Sequence, residues 1–322
     1  MQPLLAPLAL IFERAFGYPR LLLGAFGHPV MWMGRLISFM EMRFNDGADE
    51  ALIRRNGGIL MLVVLIGATL VVSVAISAIL RFVPFGWVLE ALLASTLLAQ
   101  KELGRAVRAV ADGLERSLDE GRRAVSEIVG RDPDALDEPG VSRAAIESLA
   151  ESSSDGVVAP LFFLLLFGLP GIAVYKAVNT ADSMVGHLTP RYRSFGWASA
   201  KLDDVLNWIP ARLTALLIAG AAAFIRGGDA EKAWSTALSD APRHESPNAG
   251  WPEAALAGAL GFSLGGPRSY DGEEVPLPTF GAGRRALGPS DIRLALRLYG
   301  IMLNLALGLS AVVALGIWRV WG

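Results

Sequence analysis

The chain has 322 residues, 53% apolar and 19% charged, with a mean hydropathy of +0.44 and a formal net charge of −2. So apolar a composition, with charges below the usual quarter, indicates an integral membrane protein, and the lack of a basic excess argues against a nucleic-acid binder. There is no cysteine, which excludes disulfides, thiolate metal sites, iron–sulfur clusters and cysteine nucleophiles. The three histidines, His28, His187 and His244, show no HExxH spacing that would point to zinc.

Met1 to Phe12 is apolar but has no basic n-region and no small-residue cleavage site, so it does not read as a signal peptide. Pro3 to Phe12 is too short for a ~30 Å bilayer core, which needs ~20 residues, and reads as an interfacial or half-buried helix ending at Gly17-Tyr18-Pro19. Pro29 biases His28 to an extended backbone, so a helix is predicted to begin after it. Gly58 to Leu80 is an uncharged span of 23 residues behind Arg54 and Arg55, which the positive-inside tendency puts in the cytoplasm. Phe82 to Gln100 reads as a second span, antiparallel to the first. Leu103, Val107, Val110, Leu114 and Leu118 mark an amphipathic helix in a soluble stretch that holds eight Lys or Arg between Lys101 and Arg143. Arg131-Asp132-Pro133 reads as a helix end, Asp137 to Gly140 as a turn, and Ser142 as the N-cap of the next helix.

Val157 to Val178 is long enough to span, yet Gly168-Leu169-Pro170-Gly171 interrupts it. One crossing and a re-entrant hairpin of two half-helices both fit, the latter where the break is buried in protein or lines water. Leu213 to Ile225 likewise reads as a half-span, or as a full one that buries Arg212. Ser246 to Glu253 is a turn-rich loop before a Gly/Ala-rich segment, Tyr270 to Arg285 a loop, and Leu294 to Trp318 the final span. The expected fold is an all-α polytopic membrane protein with about four to five spans, a re-entrant or broken helix at 157–178, and amphipathic cytoplasmic helices. It is organised as one integral membrane domain over 1–322: a hairpin at 58–100, a cytoplasmic insert at 101–156, a motif-bearing core at 157–225, a polar loop region at 226–293 and a last span at 294–320.

Charged and amide residues crowd the flanks of the 157–178 segment, and ionisable groups at membrane depth mark function by default. Glu147, Glu151, Asp155, Asp182, Asn179 and Ser183 supply hard oxygen donors suited to Mg²⁺ bound with phosphate. Lys176, Arg191, Arg193, Lys201 and Arg212 suit phosphate or carboxylate recognition. His28, with Arg35 and Glu41, forms a further cluster, and Arg131 with Asp132 another. If the Pro170 segment folds back, the acidic run and the Lys176 to Asp204 run share the cytoplasmic side, with Asp155 and Asp182 within reach of one metal–phosphate cluster. No Walker A or kinase glycine loop is present. The residues alone therefore describe a membrane enzyme or transporter that handles an anion.

Several runs carry a resemblance. They are Glu147 to Glu151 through Asp155 to Pro160, Lys176-Ala-Val-Asn-Thr-Ala-Asp-Ser-Met-Val-Gly186, Arg191 to Gly196, Lys201-Leu-Asp-Asp204, Ile209 to Arg212 and Ser246-Pro-Asn-Ala-Gly250, with His28-Pro-Val30 and Arg131-Asp132 in step. Together they resemble the adenosylcobinamide-phosphate synthase family of cobalamin biosynthesis over nearly the whole chain. The sequence departs from the family pattern at Tyr18, Pro133 and Ser152, where Asp, Thr and Asn are usual.

The resemblance implies a multi-pass enzyme of the bacterial inner (plasma) membrane, with its site facing the cytoplasm. It would join adenosylcobyric acid to (R)-1-amino-2-propanol or its O-phosphate through an amide bond, using ATP and Mg²⁺. Its partners would be the corrinoid, the aminopropanol (phosphate), the lipid bilayer and other membrane-bound enzymes of the pathway, with no nucleic acid. The implied catalytic set is Glu147, Glu151, Asp155, Lys176 and Asp182, with Glu151, Asp155 and Asp182 as metal ligands. The implied substrate set is His28, Asn179, Ser183, Arg191, Arg193, Lys201, Arg212 and Asn248. His28 reads equally as a helix cap. Asp203 and Asp204 read also as ion-pair partners of Lys201 or Arg212. Trp208 and Trp251 read as membrane-interface anchors ahead of corrinoid platforms. A transporter and a non-catalytic scaffold are the rival readings.

Overall fold

The computed structural model describes residues 4–18, 24, 27–129, 134–266, 268–270, 273–275 and 277–321; Arg131, Asp132 and Pro133 lie outside them. The chain forms two compact units, one of Met1–Ala99, Ala159–Asn207 and Ser310–Gly322, the other of Gln100–Val158 and Trp208–Leu309.

In the first unit, α1 (Leu5–Phe16) buries Leu5, Ala6, Ala9 and Leu10 on one face and stops at Gly17, whose φ of 60° ends the helix. α2 (Pro29–Phe44) starts at the predicted proline with His28 as its N-cap. α3 (Ala51–Leu80) is the long apolar span, with most of its apolar side chains exposed, as a lipid-facing helix requires. α4 (Gly86–Ser95) returns against it. Ser77 Oγ donates to Glu90 Oε1 at 2.7 Å, and a Cβ at Gly86 would collide with the Leu80 carbonyl.

The second predicted span is thereby corrected. α4 has 10 residues and covers about 15 Å, half a bilayer core. The hydroxyls of Ser95 and Thr96 turn back onto the carbonyls of Leu92 and Leu93, both at 2.7 Å, and the helix ends there.

α8 (Ala159–Val185) settles the two readings of the Pro170 segment. Gly168 has φ 66° and ψ −154°, outside the helical region. The rings of Phe163 and Tyr175 stack with centroids 5.1 Å apart and planes at 13°. Twelve residues along a straight helix they would stand ~18 Å apart. A Cβ at Gly171 would also strike the Phe163 carbonyl and lie 2.6 Å from Phe167 Cβ. α8 is thus two antiparallel half-helices turning at Gly168, and both arms end on the same side of that turn. α9 (Trp197–Ala222) begins in this unit and continues, through Pro210, into the other.

In the second unit, α5 (Gln100–Leu114) buries Leu103, Val107, Val110 and Leu114, while Leu118, read from spacing as part of the same stripe, falls in the next helix. α6 (Leu118–Val125) is capped by Ser117. α7 (Glu138–Ser153) starts earlier than predicted. Asp137 accepts from the Gly140 amide at 2.8 Å and Pro139 sits in the first turn, so the expected turn is a helix start and Ser142 lies inside the helix, fully buried. A π-helical turn, Ser154–Val158, follows directly. α10 (Ala230–Asp240), α11 (Gly250–Leu260) and α12 (Pro289–Trp321) complete the helices, the last passing at Ser310 from this unit into the first. Around and within the loop predicted over 270–285, two short antiparallel pairs form: β1 (Leu264–Gly265) with β4 (Thr279–Phe280), and β2 (Arg268–Tyr270) with β3 (Glu273–Val275).

Among the described residues, four helical stretches are long and apolar enough to cross a membrane: Ala51–Leu80, Glu138–Val185, Trp197–Ala222 and Pro289–Gly316. The second contains the π turn and the reversal at Gly168. Of the two readings of Leu213 to Ile225, the full span holds: the segment, through Ala222, belongs to the third stretch, a single helix that contains Arg212. The protein is a polytopic all-α membrane protein.

Candidate active site

The second arm of α8 has two opposed faces. Ala177, Val178, Ala181 and Val185 pack into a core with Ile37, Met40, Met61, Leu62, Leu65 and Phe195. Lys176, Asn179, Ser183 and Gly186, spaced three, four and three residues apart, line the other side of a 3.6-residue helix.

From that polar stripe a chain of hydrogen bonds runs into α9. Lys176 Nζ donates to Asn179 Oδ1 at 3.0 Å, and Asn179 Nδ2 to Asp203 Oδ1 at 3.4 Å. Asn207 Nδ2 donates to Asp203 Oδ2 at 2.9 Å, and Tyr175 OH to Asn207 Oδ1 at 2.9 Å. Asp203, Asn207 and Tyr175 are all buried. A carboxylate at this depth needs such partners, because burying it bare would cost many kcal/mol. Asp182 acts on Asp203 electrostatically. Its carboxylate occupies the space beside Gly186, where any Cβ would collide with Asp182 Oδ1. Ser183 Oγ turns back to the Asn179 carbonyl at 2.9 Å.

The cationic residues proposed for phosphate divide. Arg191 is engaged with Glu41, Nε to Oε1 at 3.0 Å and Nη2 to Oε2 at 3.1 Å. That carboxylate holds the Arg191 pKa above its ordinary value. Asn45 and Arg54 both reach the Arg191 carbonyl, so the pair is tied to the loop backbone. Lys201 meets Asp204 at 3.5 Å, which leaves Asp203 to the buried network. Arg193 is exposed, with no ionic partner among the described residues.

His28 is separated from Glu41 and built into a helix start. Its Nδ1 accepts from the Val30 amide at 3.2 Å, and the ring also interacts with the Thr96 backbone. The ring lies 4.5 Å from that of Tyr18. Burial lowers its pKa, the Thr96 bond opposes this, and the Lys176 charge adds to the lowering.

The second unit holds the remaining candidates. The Arg212 guanidinium sits between two indoles, 4.2 Å from the Trp208 ring centroid and 4.5 Å from that of Trp251. It donates to the Trp208 carbonyl at 2.7 Å, to Asn248 Oδ1 at 3.4 Å and to the Pro247 carbonyl at 3.5 Å. The two tryptophans therefore serve as a cation clamp rather than as simple anchors. Asn248 is fixed in turn, its amide donating to Ser246 Oγ at 3.2 Å. Glu147 is buried on α7 and accepts from the Gly265 amide at 2.7 Å, a structural clasp. Glu151 is exposed and Asp155, half-buried, lies in the π turn, an irregularity common at functional sites.

Among the described residues no three His, Asp or Glu side chains gather to hold a metal ion. The Asp182–Asp203 pair is a different donor set: two carboxylates suit Mg²⁺ that arrives with phosphate oxygens as its other ligands. Sequence reasoning reads Asp203 within the Lys201–Asp204 run and as an ion-pair partner, and does not single out Asn207 or Tyr175. The signal was the four-residue spacing of Asp203 and Asn207 on an apolar helix.

The model of the CobD/Cbib protein family matches residues 6–299. The chain is 49% identical over 312 residues to the cobalamin biosynthesis protein CobD of Brucella suis biovar 1, covering 96% of this chain and 95% of that one. It is 46% identical to the protein of the same name from Sinorhizobium fredii, over 95% of each chain. To that of Rhodobacter capsulatus it is 44% identical, over 95% of this chain and 96% of the relative. No solved structure matches it.

Proposed function

The chain belongs to the CobD/Cbib protein family, and from that premise we propose that it is the membrane ligase of cobalamin biosynthesis that joins adenosylcobyric acid to aminopropanol or its O-phosphate. The observation that carries the reading is the Lys176–Asn179–Asp203–Asn207 chain, half-buried at Lys176 and Asn179 and buried at Asp203 and Asn207, with Asp182 acting on Asp203. Near-full-length kinship to proteins named for this pathway supplies the substrate class.

The chemistry asks for what this network offers. A carboxylate is a poor acyl donor; transfer of the γ-phosphoryl group of ATP to it gives an acyl phosphate and ADP. The amine then attacks the acyl carbon, the C–N bond forms, the C–O bond to phosphate breaks, and a proton leaves with inorganic phosphate as product. Lys176 places positive charge where phosphoryl oxygens gather negative charge. Asp182 and Asp203 would hold Mg²⁺, which neutralises phosphate charge when bound. Before the second step one of these carboxylates takes a proton from the substrate ammonium, which frees the amine that attacks. Asn179 and Asn207 fix Asp203, so no side chain has to reorganise. In the second unit, Arg212 and Asn248 are offered for amide groups of a corrinoid, and the protein's site is proposed to face the cytoplasm.

Purified protein in lipid nanodiscs, given adenosylcobyric acid, aminopropanol phosphate, ATP and Mg²⁺, should form the amide and release phosphate in equal amounts. Uptake of corrinoid into proteoliposomes without amide or phosphate would replace this reading with transport.

A further inference from the structure

The second unit carries a basic pocket that the ligase reading does not use. It is a cavity of about 360 Å³ lined by Arg108 of α5 and by Ser290, Arg293, Leu296 and Arg297 of α12. Arg293 forms its fixed wall: Nη2 meets Asp112 at 2.9 Å and Glu115 at 2.7 Å, and Nε meets Glu115 at 3.1 Å. Arg108 and Arg297 have no acidic partner among the described residues and are exposed. The pocket therefore presents two free guanidinium groups beside a third that is held in place. Tyr299 OH donates to the Gln100 carbonyl at 3.0 Å, pinning the start of α5 to α12 at the same level. Immediately beyond Arg297, α12 is uncharged from Leu298 to Trp318. Arg297 directly precedes this uncharged run and Arg293 lies one turn before it, and cations at the end of a span suit the level of lipid phosphates.

We propose that this pocket binds a phosphate group at the membrane surface, with Arg108 and Arg297 as its ligands, Arg293 as its wall and Leu296 against the ester carbon. Arginine suits the task because its planar fork matches a phosphate bidentately. Basic pockets beside a span collect anionic headgroups on these terms. An anionic phospholipid and a soluble phosphate ester present the same oxyanion, and the experiment separates them.

The full-length protein is reconstituted in two kinds of nanodisc. In discs of mixed phosphatidylcholine and phosphatidylglycerol, native mass spectrometry counts the phosphatidylglycerol that stays bound. In discs of phosphatidylcholine alone, calorimetry measures inorganic pyrophosphate binding. The double variant Arg108→Gln/Arg297→Gln leaves Arg293 and its carboxylates untouched, and circular dichroism checks that it folds. It should weaken binding in at least one arm by roughly thirtyfold, from ~1 kcal/mol for each arginine near the surface. Loss in the first arm alone identifies the lipid headgroup; loss in the second identifies the soluble ester. The control Arg105→Gln removes an exposed arginine paired with Glu102, outside the pocket, and should change neither arm. Equal binding by the folded double variant and the wild type, or an equal loss in Arg105→Gln, overturns the proposal.

Discussion

In the first unit a carboxylate is buried and held by amides; in the second a guanidinium is held between indole faces. Asp203 has Asn179, Asn207 and, through Asn207, Tyr175. Arg212 has two rings, two carbonyls and one amide oxygen. The first arrangement leaves a negative charge nearly immobile, fit to hold a metal–phosphate group or take a proton. The second leaves a cation pre-oriented but shielded, fit to recognise rather than react. If the contrast holds, damage to the first site should appear in kcat and damage to the second in KM.

The largest expected effect is at the buried carboxylate. Asp203→Asn keeps the shape and one of the two accepted hydrogen bonds but removes the charge; turnover should fall by about 10²–10⁴ in an amide-formation assay. Asp203→Ala should lose at least as much activity and also ~2–3 kcal/mol of stability, because the amides of Asn179 and Asn207 are left unpaired. Wild-type turnover in Asp203→Asn would take the carboxylate out of the chemistry and reduce the network to scaffolding.

Next comes the clamp. Arg212→Lys keeps the charge but loses the fork and the stacking, so KM for the corrinoid should rise about tenfold with kcat nearly unchanged. Trp251→Ala should act in the same direction. A double-mutant cycle between them should show a coupling of about 1 kcal/mol. Independent effects would mean that the rings are anchors after all, as the sequence reading had them.

How far all this could be read in advance depended on what hydropathy and spacing report. The core face of α5 and the polar stripe of α8 follow from 3.6-residue periodicity, and the structure buries the α5 stripe from Leu103 to Leu114 but gives Leu118 to the next helix. The break near Pro170 announced itself by its glycines, and the reversal falls at Gly168. Hydropathy could not show that Ser95 and Thr96 would stop α4 halfway, because two hydroxyls barely alter a nineteen-residue average. The site was legible as a set of residue types but not as a set of partners. Asp203 and Asp204 are adjacent in sequence beside Lys201, and only the helix decides that Asp204 takes the lysine while Asp203 is buried. Likewise Arg191 reads as a phosphate ligand until Glu41, 150 residues away, is found beside it.

That pair yields the third prediction, smaller because it concerns scaffold. Glu41→Gln removes the charge that holds Arg191, whose side chain is 65% exposed against 9% for Glu41. The melting temperature should fall by a few degrees, with KM for ATP unchanged. A marked rise in KM for ATP would show instead that Arg191 reaches phosphate and that Glu41 orients it for the purpose.

The smallest effect, and the sharpest in meaning, is at His28. As a cap it needs only an acceptor for the Val30 amide, and asparagine is among the best N-caps. His28→Asn should therefore retain most activity, while His28→Ala should lose ~1 kcal/mol of stability. Acid adds a second reading. Burial lowers the His28 pKa from the ordinary 6.5, so below pH 6.5 the unfolded chain takes up the proton more readily than the folded one. Its contribution to stability is thus complete above pH 6.5 and is lost as the pH falls below it. His28→Asn should flatten that part of the profile, measured by thermal unfolding in nanodiscs between about pH 5 and 8. If His28→Asn is folded but inactive, the imidazole is a base or a substrate contact, and the helix start at Pro29 belongs to the active site after all.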